Sequence, residues 1–156
     1  MKRIALTGAV LLGSLMSFNL VAAELSAEEQ AAQNVANRQA IFKLLSVSNA
    51  PLGAMARGGA YDGDAAKLAA QRLAILGGMI PAAFEADTSG VTGLTTRAST
   101  TIWGNKADFD KLAGDLVTAA NEALATLEAQ GEAGVRGAVG AIGPKCGACH
   151  DRYRLD

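Results

Sequence analysis

The stretch NKADFDKLAGDLVTAANEALATLEAQ, residues 105–130, decides the fold class of this 156-residue chain. Apolar residues recur along it at intervals of three and four, at Phe109, Leu112, Leu116, Ala120, Ala123 and Leu127. That spacing places them on one face of an α-helix. The stretch therefore predicts an amphipathic helix that ends near Gly131 and packs its apolar face against other elements.

The next segment predicts another helix of the same kind. Its apolar stripe runs through Val135, Val139, Ile142, Cys146, Cys149 and Tyr153. Pro144 falls inside the pattern. We expect this helix to pack its apolar stripe into the core of the bundle.

Two further helices are predicted before residue 105. The first spans about 26–57: SAEE at 26–29 offers a capping box, and Gly58 and Gly59 end the pattern. The second spans about 64–84, after the capping residues YDGD. Prolines fall inside both helices, and Pro51 should bend or loosen the first one. Four amphipathic helices predict an all-α antiparallel four-helix bundle.

The second and third helices are joined by a long connection, residues 85–106. It is rich in Thr, Ser and Gly and has no helical period. Connections of this length in small domains are usually functional or anchored. Trp103, the only tryptophan, is the expected anchor, either as a packing residue or as a ligand contact.

The N-terminus predicts a secretory signal peptide. Lys2 and Arg3 precede an apolar run that ends in small residues, so we expect cleavage after Ala23 and export to the periplasm. A membrane anchor is the alternative interpretation. Residues 24–156 would form one domain with 12 basic residues against 15 acidic ones. This balance gives no indication of nucleic-acid binding, and no membrane association is expected after cleavage.

Both cysteines and the only histidine lie within CGACH, residues 146–150. On a helix, Cys146, Cys149 and His150 share one face. Each thiol can add to a haem vinyl group while the imidazole binds iron, and C-x-x-C-H is the signature of this attachment. A zinc site, a redox dithiol and a disulfide remain as alternatives, although the chain lacks a fourth zinc ligand at this spot. The motif therefore predicts one covalently bound haem c with His150 as the metal ligand.

The first predicted helix supplies candidates for the other side of the haem. Its inward positions are Val35, Arg38, Phe42, Leu45, Asn49 and Leu52. Arg38 there needs a counter-charge, which a haem propionate could provide; otherwise its head reaches solvent. Phe42 would cover the ring, or else belong to the plain core. Met55 and Met79 are interpreted as core filling, although a methionine, a lysine or no ligand could occupy the second axial position.

Several segments together resemble the cytochrome c′ family of periplasmic class II c-type cytochromes. They are NRQAIFKLL at 37–45, YDGDAAKLAAQRLAIL at 61–76, TRASTTIW at 96–103, FDKLA at 109–113 and VGAIGPKCGACHDRYR at 139–154. The resemblance implies thioether bonds at Cys146 and Cys149 and proximal ligation by His150. It also implies haem contacts by Arg38 and Gln39, an apolar distal residue at Phe42, and Arg154 beside the proximal face.

The resemblance also implies a function. Phe42 cannot bind iron, which favours a five-coordinate, high-spin haem that binds nitric oxide, binds carbon monoxide weakly and can transfer electrons. The alternative is a six-coordinate, low-spin electron carrier of the c-556 type, whose second ligand would be a thioether or an amine. An enzymatic role is not expected, because no distal histidine could act as a base. Family members often form homodimers through the first two helices; the redox partner is not indicated.

Overall fold

The structure, a computed structural model, describes residues 24–156. Its elements are α1 (Ala27–Ala56), α2 (Gly63–Ala83), α3 (Thr101–Gly104), α4 (Lys106–Gln130), a 3₁₀ turn (Gly131–Gly134) and α5 (Val135–Tyr153). The four long helices confirm the all-α four-helix prediction, and their bounds agree with the predicted ones within about two residues. The predicted signal peptide, residues 1–23, lies outside the described part of the chain.

Side chains at the helix starts explain where α1 and α2 begin. The Ser26 hydroxyl accepts a hydrogen bond from the backbone N–H of Glu29, and the Glu29 carboxylate accepts one from the N–H of Ser26. This reciprocal pair satisfies backbone donors that a helix start leaves unpaired. The Asp62 carboxylate accepts hydrogen bonds from two N–H groups at the start of α2. The predicted capping residues are thus confirmed.

Glycines with positive φ stop the chain from continuing as helix. Gly58, just after α1, has φ of 95°, and Gly131, just after α4, has φ of 57°. Side chains rarely tolerate this left-handed region, so glycine suits both reversals. They allow the chain to return beside itself, which makes the long helices antiparallel.

The long helices form a bundle that is incompletely closed on one side. α2 packs extensively on α1 and α4, and α4 packs on α5, whereas α1 and α5 contact each other much less. The largest fully buried side chains are Phe84, Phe109, Leu52, Ile102 and Ile142. All six residues of the predicted α4 stripe are buried. The core therefore lies along α2 and α4, and the gap between α1 and α5 remains open.

The connection between α2 and α4 is more ordered than its sequence predicted. It contains the one-turn helix α3, and it pairs with the C-terminal tail: the N–H of Ser99 donates to the Tyr153 carbonyl at 2.9 Å, and the N–H of Leu155 donates to the Arg97 carbonyl at 2.8 Å. Trp103 Nε1 donates to the Phe84 carbonyl at 3.1 Å. The packing role predicted for Trp103 is confirmed.

The outer face of α5 carries little side-chain mass. Gly137, Gly140, Gly143 and Gly147 all lie in this helix, and a Cβ added to any of them would meet no atom within 4 Å. The helix continues through Pro144, as α1 does through Pro51. In the part of the chain that the structure describes, no helix has the length and apolar character needed to cross a membrane.

Candidate haem-binding site

A cavity of about 560 Å³ opens between α1 and α5, and its floor is formed by α2 and α4. Seven side chains predicted from the sequence line it: Arg38, Gln39, Phe42, Cys146, Cys149, His150 and Arg154. The cavity lies where the bundle is least closed. Its volume falls within the range of cofactor and ligand pockets. The fold thus brings together two helices that are about a hundred residues apart in the sequence.

The two cysteines lie on the α5 wall as half-buried, unpaired thiols. Burial raises the pKa of Cys146. Burial also raises the pKa of Cys149, with smaller contributions from the neighbouring Cys146 and from Asp108. Both residues therefore stay in the thiol form at neutral pH, and no disulfide joins them here.

His150 follows Cys149 on the same wall, and much of its ring is accessible. Its Nδ1 atom lies 3.2 Å from Nη1 of Arg154. Desolvation of the ring lowers the pKa of His150 most, Arg154 and Arg97 lower it further, and Asp151 opposes them. The neutral imidazole is thereby favoured, and it is the form that binds metals.

Arg38 lies on the α1 wall and is almost completely buried, with 3% of its surface exposed. Its Nε donates to the Ala83 carbonyl at 2.8 Å, Nη1 to the Thr88 hydroxyl at 2.7 Å and Nη2 to the Ala86 carbonyl at 2.6 Å. The guanidinium also lies 4.6 Å from the ring centre of Phe84. The alternative that its head reaches solvent is therefore wrong. Arg38 fastens the start of the long connection to α1.

Gln39 and Phe42 stand beside Arg38 on the same helix. Gln39 Nε2 donates to the Thr95 carbonyl at 2.8 Å, which ties α1 to the far part of the connection. The Phe42 ring is 38% exposed and meets Phe84 edge to face, with ring centres 6.1 Å apart. Phe42 lines the cavity, so the plain-core alternative does not describe it.

Charge on the cavity wall is of one sign. Its charged residues besides His150 are Arg38, Arg97, Lys145 and Arg154, and no aspartate or glutamate within residues 24–156 lines the cavity. The sequence interpretation did not assign Arg97 or Lys145. Two signals could have indicated them: Arg97 is the only charged residue in 88–105, and Lys145 immediately precedes Cys146.

Neither methionine of the described chain lines this cavity. Met55 packs against the core and lines a separate pocket of about 400 Å³ with Tyr61 and Arg136. Met79 is 48% exposed, so its interpretation as core filling was wrong, whereas that of Met55 is supported. Among residues 24–156, no three His, Cys, Asp or Glu side chains are grouped to hold a metal ion directly.

The residues present fit a covalently bound haem. Two thiols and an imidazole stand on one helix wall, the remaining lining is mostly apolar, and the cationic side chains match a group that carries two carboxylates. Cys146 and Cys149 would hold the porphyrin, and His150 would hold the iron.

Comparisons with known proteins agree with this assignment. The family profile described as Cytochrome C′ matches residues 33–154. The chain is 34% identical over 121 residues to a cytochrome c′ of Rhodopseudomonas palustris, covering 77% of this chain and 80% of the relative. It is also 34% identical over 125 residues to a cytochrome c-556 of Agrobacterium tumefaciens, covering 80% and 98%.

Solved structures show the same similarity. A cytochrome c′ from Thermochromatium tepidum superposes with a TM-score of 0.73 at 30% identity, covering 86% of this chain and 100% of that one. Another cytochrome c′, described as having a ligand-controlled dimer dissociation, gives a TM-score of 0.73 at 25% identity with the same coverage. A CxxCH haem site in this bundle and a match over most of the chain lead to one conclusion: the protein is a haem c protein that belongs to the cytochrome c′ family.

Proposed function

We propose that this protein holds a five-coordinate, high-spin haem, binds nitric oxide, binds carbon monoxide weakly and can transfer electrons. The observation that carries the proposal is the position of Phe42 on the cavity wall across from the helix that bears His150. When bound, haem supplies an iron that exchanges electrons and accepts a diatomic ligand. His150 is the only imidazole of the chain, and a phenyl ring offers no donor atom.

Phe42 would make the distal side selective. A molecule entering from that side must displace a packed aromatic ring that contacts Phe84. Displacing packed side chains costs about 1–3 kcal/mol, which corresponds to roughly 5-fold to 150-fold in affinity. Carbon monoxide should therefore bind weakly. Nitric oxide can weaken the bond to His150, and the family resemblance suggests that it ends on the proximal side, near Arg154.

The visible absorption spectrum of the purified ferrous protein, with and without nitric oxide, tests this proposal. A high-spin, five-coordinate spectrum supports it. Phe42→Ala should raise carbon monoxide affinity by about 5-fold or more, and Phe42→Met should give a low-spin, six-coordinate spectrum. Lys43→Ala is the matched control, since Lys43 is exposed on α1, does not line the cavity and is not among the apolar residues of the proposed dimer surface. A low-spin wild-type ferrous spectrum would overturn the proposal.

A six-coordinate electron carrier is the second candidate, and one observation favours it. The similar protein from Agrobacterium tumefaciens is named cytochrome c-556. Carriers usually keep both axial positions occupied, so that little rearranges on electron transfer. Met55 and Met79 do not line the cavity, and Lys145, the lysine that does, lies on the same helix as His150. A six-coordinate form would therefore need a methionine or lysine to move to the distal side, and the wild-type ferrous spectrum would then be low-spin.

We further propose that the protein is a homodimer that associates through α1 and α2. Large apolar side chains are exposed on these helices: Leu44, Val47, Leu68, Ile75 and Met79. Exposed apolar surface often marks an interaction surface. One similar cytochrome c′ is described as having a ligand-controlled dimer dissociation. That description supports a dimer whose stability responds to the haem ligand.

We also propose export to the periplasm, with residues 24–156 as one mature domain, and the signal peptide predicted from the sequence supports this. Attachment of haem to CxxCH belongs to such an oxidising compartment, outside the cytoplasm. We assign no enzymatic reaction, because the cavity of the described chain offers no imidazole other than His150 as a distal base. Intact-mass measurement of the exported protein tests the cleavage site and the haem attachment: it should give the mass of residues 24–156 plus one haem that survives denaturation.

A further inference from the structure

The cations of the cavity wall differ in how many of their N–H donors are already used. Each of the three side-chain nitrogens of Arg38 donates one hydrogen bond to a group at the end of α2 or the start of the connection. Arginine has five N–H donors, so Arg38 retains two for any other partner. Its guanidinium is therefore held by protein groups on all three nitrogens, and only one N–H on Nη1 and one on Nη2 remain, on a side chain that is almost completely buried.

Arg97 is held differently. Only its Nε is engaged, donating to the Leu155 carbonyl at 2.9 Å. The backbone of the same two residues is also paired, since the N–H of Leu155 donates to the Arg97 carbonyl at 2.8 Å. These two bonds fix the base of the side chain, whereas Nη1 and Nη2 make no hydrogen bond or ion pair within residues 24–156. Arg97, an exposed residue that lines the cavity, thus keeps four N–H donors uncommitted on a fixed base.

The other two cations are less suited to bidentate binding. Arg154 directs Nη1 toward His150, at 3.2 Å from its Nδ1 atom. Lys145 carries a point charge and has no planar fork. Arg97 is thus the cation of the wall that combines a fixed base with an available fork.

We infer that Arg97 is the principal protein partner of the haem propionates, and that the C-terminal tail at Leu155 is the element that positions it. A guanidinium whose Nη1 and Nη2 are available binds a carboxylate through two parallel hydrogen bonds. Arg38 then acts mainly by holding the start of the connection against α1. The inference requires haem in the cavity and is independent of whether iron is five- or six-coordinate.

Resonance Raman spectra of the holoprotein test the inference, because the propionate bending mode reports hydrogen bonding to the haem carboxylates. Arg97→Gln should shift this mode. It should also raise the ferric-to-ferrous ratio at a fixed ambient potential by roughly 3-fold or more. The reason is that a nearby positive charge favours the reduced iron, and the substitution removes that charge. Arg97→Lys should shift the mode, because the fork is lost, while the ratio stays within about 2-fold of wild type.

Arg136→Gln is the matched control. It removes the same charge from α5, but 14 positions before His150, which corresponds to about 20 Å along the helix. Both readouts should stay at the wild-type value. The inference is overturned if Arg97→Gln leaves the Raman mode unchanged, or if Arg38→Gln shifts it as much as Arg97→Gln does. If Arg97→Gln does not fold, Arg97→Lys takes its place: an unchanged propionate bending mode in that variant overturns the inference. The axial-ligand proposal is judged separately, from the ferrous absorption spectrum.

Discussion

Arg38 shows how a single residue can organise a binding site although all of its own hydrogen bonds go to protein groups. It is the only charged side chain that is buried among the described residues. Burial lowers its pKa, and nearby Asp87 opposes that effect. Its hydrogen bonds to two carbonyls and a hydroxyl compensate for lost hydration.

Arg38→Leu should destabilise the protein by about 2–4 kcal/mol, because it leaves the buried Thr88 hydroxyl and the Ala83 and Ala86 carbonyls without their donor. Urea unfolding of the holoprotein measures this loss. Lys43→Leu, at an exposed position of the same helix, is the control and should change stability by less than about 0.5 kcal/mol. Equal effects of the two substitutions would contradict the role assigned to Arg38.

The residue types of the site could be predicted from the sequence, whereas the partners of those residues could not. CxxCH identified Cys146, Cys149 and His150 because three reactive side chains on one helix face need no tertiary information. The role of Arg38 depends on two carbonyls and a hydroxyl that lie 45–50 positions later in the chain. No local pattern encodes such a pairing. Arg97 was missed for the same reason, since its partner is the tail residue Leu155.

At the scale of elements, α4 and α5 are joined by a polar contact beside the haem cavity. The Asp108 carboxylate accepts hydrogen bonds from the Tyr153 hydroxyl at 2.8 Å and from Arg152 Nη1 at 2.9 Å. These bonds, that from Tyr153 first, lower the pKa of Asp108. The start of α4 is thereby fixed to the end of α5, close to the haem attachment sequence.

This contact predicts a pH dependence of stability. The folded-state pKa of Asp108 is lowered. Its contribution to the free energy of unfolding is therefore fully present above the unfolded-state pKa, about 3.9, and is lost as the pH falls through the folded-state pKa. Tyr153→Phe should reduce the loss of stability that the protein undergoes as the pH falls below about 4. Urea unfolding at a series of pH values measures it. Tyr61→Phe, at the opposite end of the bundle, should keep the wild-type pH profile.

Helix periodicity predicted the long elements well, and it failed for the connection. The bounds of α5 agree with the predicted stripe from Val135 to Tyr153 because that stripe is regular. α3 has only four residues, fewer than two turns, so it leaves no periodic signal. The bridge between Ala98 and Arg154 joins segments 56 positions apart. Its register is set by tertiary packing and not by local propensity.

At the scale of the whole molecule, the exposed apolar surface of α1 and α2 predicts association. Ile75 is 67% exposed, more than any other large apolar residue in the described part of the chain. Ile75→Lys should weaken the dimer by about 10-fold or more, since it places a charge in an apolar contact. Sedimentation equilibrium measures the change. Ala129→Lys, at an exposed position of α4, is the control and should leave association unchanged. A wild-type protein that is monomeric at high concentration would contradict the dimer.

The glycines on the outer face of α5 have a consequence for amide hydrogen exchange. Each glycine in a helix interior costs about 1 kcal/mol relative to alanine, and Pro144 removes a backbone hydrogen bond. Before haem is attached, α5 should therefore open locally at a lower free energy than α4, and its amides should exchange first. Gly140→Ala should slow that exchange, because an added Cβ meets no atom there. Such opening would expose the half-buried thiols to solvent. The helix that carries the haem attachment sequence is therefore also the helix whose local opening makes that sequence accessible before haem is attached.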